Sequence, residues 1–151
     1  MISALLAFLH HSAAFILVGA LMTELVLIRG ELNLVSARSL ARMDGVYGAA
    51  AVVLLIVGFL RVFYTEKGAA YYFGSGPFLV KIVLFAVVGV MSIGPTREYL
   101  SWRSALRQQQ IPVLEDARRR SIRRAIHVQL TLLVVIMLCA ALMARGIGFI
   151  G

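Results

Sequence analysis

Four long apolar runs divide the chain, and charge and turn residues collect between them. The runs are ISALLAFLHHSAAFILVGALMTELVLI (2–28), VYGAAAVVLLIVGFLRVFY (46–64), PFLVKIVLFAVVGVMSIG (77–94) and AIHVQLTLLVVIMLCAALMA (125–144). Each approaches or exceeds the ~20 residues that carry a helix across ~30 Å of hydrocarbon. A helix pairs its backbone polar groups within the segment, which lipid requires. The pattern predicts an all-α, integral membrane four-helix bundle, with residues 1–151 as one domain. Pro77, behind Gly74, Ser75 and Gly76, suits the first turn of the third helix. The polar stretches also carry helical patterns. VSARSLARMDG extends helix two, and REYLSWRSALRQQQ extends helix three past a kink at Gly94–Pro95. The fourth helix is expected to begin at Pro112, with Glu115 and Asp116 in a first turn that favours acids. A run from 113 to 145 would be ~50 Å long, projecting beyond the bilayer as part of a helical hairpin.

Composition sharpens the class. The chain is 61% hydrophobic and 15% charged, against about half and a quarter in soluble domains. A net charge of +8 raises the question of nucleic acid. The arginines, however, lie between apolar runs, where membrane topology accounts for them, so nucleic acid is set aside. Eleven of the basic residues fall in the stretches joining spans one to two and three to four: Arg29, Arg38, Arg42, Arg97, Arg103, Arg107, Arg118, Arg119, Arg120, Arg123 and Arg124. Arg61, Lys67 and Arg145 fall on the other side. The positive-inside rule then makes the eleven cytoplasmic and both termini external, as for a multi-pass protein of a bacterial inner membrane. The first run has no basic residues before it and nearly a full span of length, so it reads as a span rather than a cleavable signal. The single Cys139 forms no internal disulfide.

Ionisable groups at membrane depth are the informative ones, since each is a functional hypothesis. They are His10, His11, Glu24, Lys81 and His127. His10 and Lys81 lie toward the outer ends of two parallel helices and can meet in the outer half of the bundle. Neighbouring helix residues diverge by ~100°, so His10 and His11 do not share one ligand position. His10 has Ala7, Ala13 and Ala14 beside it, which leave room for a bulky group; His11 has Phe15 and Val18. His10 is the expected ligand, and His11 a helix-supporting residue or a less favoured ligand. An imidazole is a standard axial ligand of haem iron, and an unprotonated lysine amine also serves. Arg61, Tyr64, Lys67, Tyr71 and Tyr72 lie near the outer surface, where haem propionates would point. The plainer readings are snorkelling for Lys81 and helix–helix hydrogen bonding for the histidines. For Glu24 the plainer reading is pairing with Arg29 or His127. Met22, Met137 and Met143 read as packing, and Tyr64, Tyr71, Tyr72 and Trp102 as an interfacial belt.

FLHHSAAFILVGAL resembles the first helix of two related four-helix membrane families, the haem-binding bacterial protoporphyrinogen oxidase and the copper-resistance D family. In both, a histidine near the outer end is followed nine and ten positions on by small residues, here Gly19 and Ala20. YYFGSGPFLVK resembles the oxidase's glycine-containing loop and the lysine early in its third helix. The resemblance thus places His10 and Lys81 on the family's haem-associated residues. Three features depart from the pattern: Leu17 stands where a tryptophan is usual, Glu24 where the oxidase has a proline in that half of the helix, and Phe78-Leu79-Val80 where Trp-Leu-His leads to the lysine. The whole chain is also similar to a family of small bacterial membrane proteins of unknown function grouped near these two.

Three functions follow as expectations. The first is a haem b membrane redox protein, an oxidoreductase acting on protoporphyrinogen or a similar donor with a quinone or other membrane acceptor. The second is copper or other small-solute handling along His10, His11 and Glu24. The third is a structural or assembly subunit, with the lipid bilayer and a second copy of the chain as partners.

Overall fold

A computed structural model describes residues 1–64 and 68–148. Its helices are α1 (Ile2–Arg29), α2 (Leu34–Tyr64), α3 (Gly68–Phe73), α4 (Gly76–Ser101), α5 (Arg103–Arg107) and α6 (Asp116–Ala144). Four of them, counting α4 with α5 as one segment, are long and apolar enough to cross a membrane. The architecture is the all-helical bundle that the hydropathy pattern predicts.

Local sequence sets the ends. The α2 start is fixed by a reciprocal cap: the Ser36 amide donates to Asn33 Oδ1 and the Asn33 amide to Ser36 Oγ, each at 2.8 Å. This is the capping-box arrangement with serine in the place of Glu or Gln. Ser75 caps α4 and Pro77 falls in its first turn. Pro95 does not end α4, which continues to Ser101. The fourth long helix starts at Asp116 rather than Pro112, with Glu115 as its extended N-cap. Residues 110–115 instead run without helix, reversing the chain between α5 and α6.

Extensive packing of α1 on α2 and of α4 on α6 is completed by α1 with α6 and α2 with α4. Helices adjacent in this ring are antiparallel. α1 and α4 are diagonal: their backbones stay apart, and they meet only through side chains such as Glu24 and Tyr99. The cross-links give the register: Thr96 donates to Asp44 at 2.8 Å, Gln129 Nε2 to the Val88 carbonyl at 3.2 Å, and Arg29 to His127 at 2.9 Å.

At 31 and 29 residues, α2 and α6 are ~47 and ~44 Å long at 1.5 Å per residue. Their surplus over the hydrocarbon thickness projects at the arginine-rich end, and it is packed. Ala37, Leu40, Tyr99, Trp102 and Ile122 are buried there with Ile28 and Ile126. Trp102 is therefore not a belt residue. It is 3% exposed, its ring lies edge-on to Tyr99 at 5.1 Å, and its indole donates to Glu98 at 3.2 Å.

Several arginines are structural as well as topological. Arg118 bonds Glu98 at 3.0 Å and the Gly94 carbonyl at 3.2 Å. Arg119 bonds the Gly30 carbonyl, and Arg38 that of Leu106.

The opposite end is looser, since the main core cluster reaches from Leu17 toward the arginine end and no further outward along α1. There the chain beyond α6 folds back. The Gly76 amide donates to the Gly148 carbonyl at 3.1 Å. Gly148 has φ +84°, and a Cβ on it would lie 2.8 Å from the Pro77 ring. Gly148→Val is expected to release this strap at a cost of about 1–3 kcal/mol. Faster proteolytic trimming of the C-terminus would report it; unchanged trimming would mean that the strap carries no stability.

Candidate functional site

The loosely packed end holds a cavity of about 110 Å³. His10 from α1, Gly58 and Arg61 from α2, and Lys81 from α4 bring its polar and backbone surface. Tyr72, Phe78, Phe85, Ile136 and Met143 supply much of the rest. His10 and Lys81 come from the diagonal helices α1 and α4, whose backbones stay apart, and both line the cavity. The parallel-helix register expected from the sequence is what brings the two together.

Each polar residue has a local reason for its position. His10 lies against Gly58, where a Cβ would stand 3.4 Å from the imidazole Cε1. Alanine would just touch the ring, and a larger side chain would displace it. His10 Nδ1 is buried and has no hydrogen-bond partner. Lys81 Nζ lies 5.4 Å from the centroid of the Phe78 ring, within cation–π range. Phe78 is held in turn by Tyr72 and Phe73, at 5.5 and 5.8 Å. The short α3, which hydropathy did not indicate, therefore roofs the cavity with aromatic rings. Arg61 and Lys81 line the cavity with His10, so it carries basic groups on apolar walls.

The other expected residues divide. His11 is exposed, and its Nδ1 donates to the Ala7 carbonyl of its own helix at 2.6 Å. Its ring meets that of His10 edge-on at 6.1 Å. It does not line the cavity. Tyr64 is 75% exposed and also lies outside the lining, a place Tyr72 takes instead. Lys67 lies outside the described residues, as does the side chain of Tyr71. His127 is exposed and accepts from Arg29, the helix-linking role expected of it. Met143 contributes to the cavity lining, while Met22 and Met137 are exposed.

Glu24 does not pair with Arg29 or His127. It is 1% exposed and faces Asp44 and Tyr99, with Tyr47 beside them. Fourteen residues separate it from His10 on α1, or ~21 Å along the axis. Nothing in the spacing along the chain marks Tyr47 and Tyr99. Their contact with Glu24 depends on helix register. Among the described residues, no group of three or more His, Cys, Asp or Glu side chains is gathered to hold a metal ion.

A four-helix bundle spanning a membrane, with a polar cluster in an apolar cleft between diagonal helices, defines an integral membrane protein with a ligand-sized internal site. The chain belongs to the family described as predicted membrane protein (DUF2214), which matches residues 2–148. No curated protein and no solved structure matches it.

Proposed function

We propose that the cleft between α1 and α4 is a haem b site and that the protein is a membrane redox protein of the bacterial inner membrane. The observation that carries this reading is that His10 and Lys81, on diagonal helices, line one cavity in which His10 Nδ1 is buried without a partner. The donor types suit the group, an imidazole and an amine lining one cleft with apolar and aromatic walls, and at about 110 Å³ the cleft must widen, by α1 and α4 parting, to admit a macrocycle. His10 and Lys81 would hold the iron, and Arg61 would meet a propionate. Bound haem supplies one-electron chemistry. The chain's own part is to fix the imidazole against Gly58, to hold the amine over Phe78 and to keep water from the cleft with the aromatic roof. With the arginine-rich end cytoplasmic, the cleft lies in the outer half of the membrane. A donor such as protoporphyrinogen and a quinone acceptor fit a lipid-accessible site.

One observation favours a second reading of the same cleft. Its volume of about 110 Å³ is the size of a single ring, since a cavity of about 150 Å³ accepts benzene. A quinone head group, its carbonyls accepting from Arg61 and Lys81, would occupy that space without widening it. The copper reading is less supported, because His11 faces away and Glu24 lies ~21 Å from His10.

The test is an absorption spectrum of detergent-purified protein, oxidised and then reduced with dithionite, after expression with ample haem precursor. A Soret band with b-type reduced bands is expected, lost in His10→Ala and shifted in Lys81→Ala. A featureless spectrum together with co-purified quinone would transfer the cleft to the second reading. A featureless spectrum with no quinone would overturn both.

A further inference from the structure

The arginine end of the bundle contains a second buried polar cluster that the cleft chemistry does not use. Glu24 of α1 is 1% exposed, and so is Tyr99 of α4. Glu24 Oε1 and the Tyr99 phenol oxygen are both buried without a well-formed hydrogen bond, although the two side chains face each other. Asp44 accepts from Thr96 at 2.8 Å, and Tyr47 meets the Ser92 hydroxyl. Gln129, the buried polar residue of α6, lies away from the cluster, at the level of Val88, whose carbonyl it bonds. The titratable groups acting on Glu24 are Asp44 and Tyr99; no lysine or arginine among the described residues is placed to balance it, Arg29 being directed to His127. A buried carboxylate without a counter-charge is costly and is ordinarily neutralised. The cluster has one open carboxylate oxygen, one open phenol and hydroxyls as neighbours. That is the surrounding of one small hard positive charge, with oxygen donors only.

We propose that Glu24 is the centre of a buried site that takes up one exchangeable positive charge, a proton or a sodium ion, with Tyr99, Tyr47 and Asp44 as its oxygen lining. The two sources share one chemistry, neutralisation of a single carboxylate. The site is independent of what fills the cleft beside His10.

Two measurements on the purified full-length protein separate the sources. The first is the melting temperature at fixed pH and ionic strength as choline chloride is replaced by sodium chloride. The second is the infrared carboxylic-acid carbonyl band in sodium-free buffer, followed from mildly acid to mildly alkaline pH. A rise of a few degrees with sodium, lost in the near-isosteric Glu24→Gln, assigns sodium. A band absent in Glu24→Gln that disappears reversibly as pH rises assigns the proton. Tyr99→Phe keeps the buried ring and removes only the phenol; it is expected to weaken the sodium response or shift the band in a protein that still folds. A melting temperature indifferent to sodium, with no Glu24 band that changes with pH, would overturn the proposal and leave Glu24 a fixed structural group.

Discussion

Trp102→Ala is expected to lower the stability of the folded protein by about 3–5 kcal/mol, the range for emptying a buried large aromatic site. The ring is nearly fully enclosed, packs edge-on against Tyr99 and carries a hydrogen bond to Glu98. Its removal leaves a cavity where the ends of α2 and α6 converge on α4. It also loosens Glu98, which holds Arg118 and, through Arg118, the Gly94 carbonyl next to Pro95. The Glu98–Arg118 pair is partly exposed, so it contributes little on its own, and the loss is mainly one of packing. Trp102→Phe keeps a ring but not the donor, and should cost nearer 1 kcal/mol. Reversible unfolding of both variants in detergent measures the difference. A loss below about 1 kcal/mol for the alanine variant would show that the projecting helices do not pack as described.

Leu17→Ala and Ile16→Ala form the second comparison. The residues are adjacent on α1, yet Leu17 is 1% exposed and Ile16 is 52% exposed. In a soluble protein both would lose transfer free energy. Inside a bilayer, lipid tails are as apolar as the side chain, and packing is the main term left. Leu17→Ala should therefore cost about 2–3 kcal/mol, toward the low end of the usual range because the transfer part is small. Ile16→Ala should stay within about 0.5 kcal/mol. Unfolding in mixed micelles by an ionic detergent gives both numbers. Equal losses would mean that the helix is turned by about one residue from the described register.

The four spans and the helical extensions were legible because hydropathy and length act locally. So was the α4 start, from the run of Gly74, Ser75, Gly76 and Pro77. Pro112 is compatible with a first helical turn, but residues 110–115 run without helix in the reversal after α5, and the last helix starts at Asp116. At the cleft, His10 and Lys81 were legible as polar groups in the outer half of two parallel helices and Arg61 as a group near the outer surface, and the structure brings all three to one cavity. The separation of His10 from His11 followed from helical geometry alone. The pairings of Glu24, Tyr47, Tyr99 and Trp102 were not legible. They depend on which helices are ring neighbours and on their relative register, and neither leaves a trace in spacing along one chain. The role of α3 was hidden for a similar reason: a six-residue helix is too short for periodicity, and its rings matter only once Phe78 is beneath them.

The two polar layers, His10 with Lys81 and Glu24 with Tyr99, are ~21 Å apart along the bundle, with Leu17, Leu21, Val88 and Leu133 buried between them. That is about two thirds of the ~30 Å hydrocarbon thickness. Any unit charge passing from one layer to the other would cross a similar share of the membrane voltage. At 100 mV this amounts to about 1.5 kcal/mol per charge, or roughly a tenfold bias in the position of that charge. Transmembrane voltage would therefore influence how charge is distributed between the two ends of this bundle, through a largely apolar gap whose buried polar side chain is Gln129.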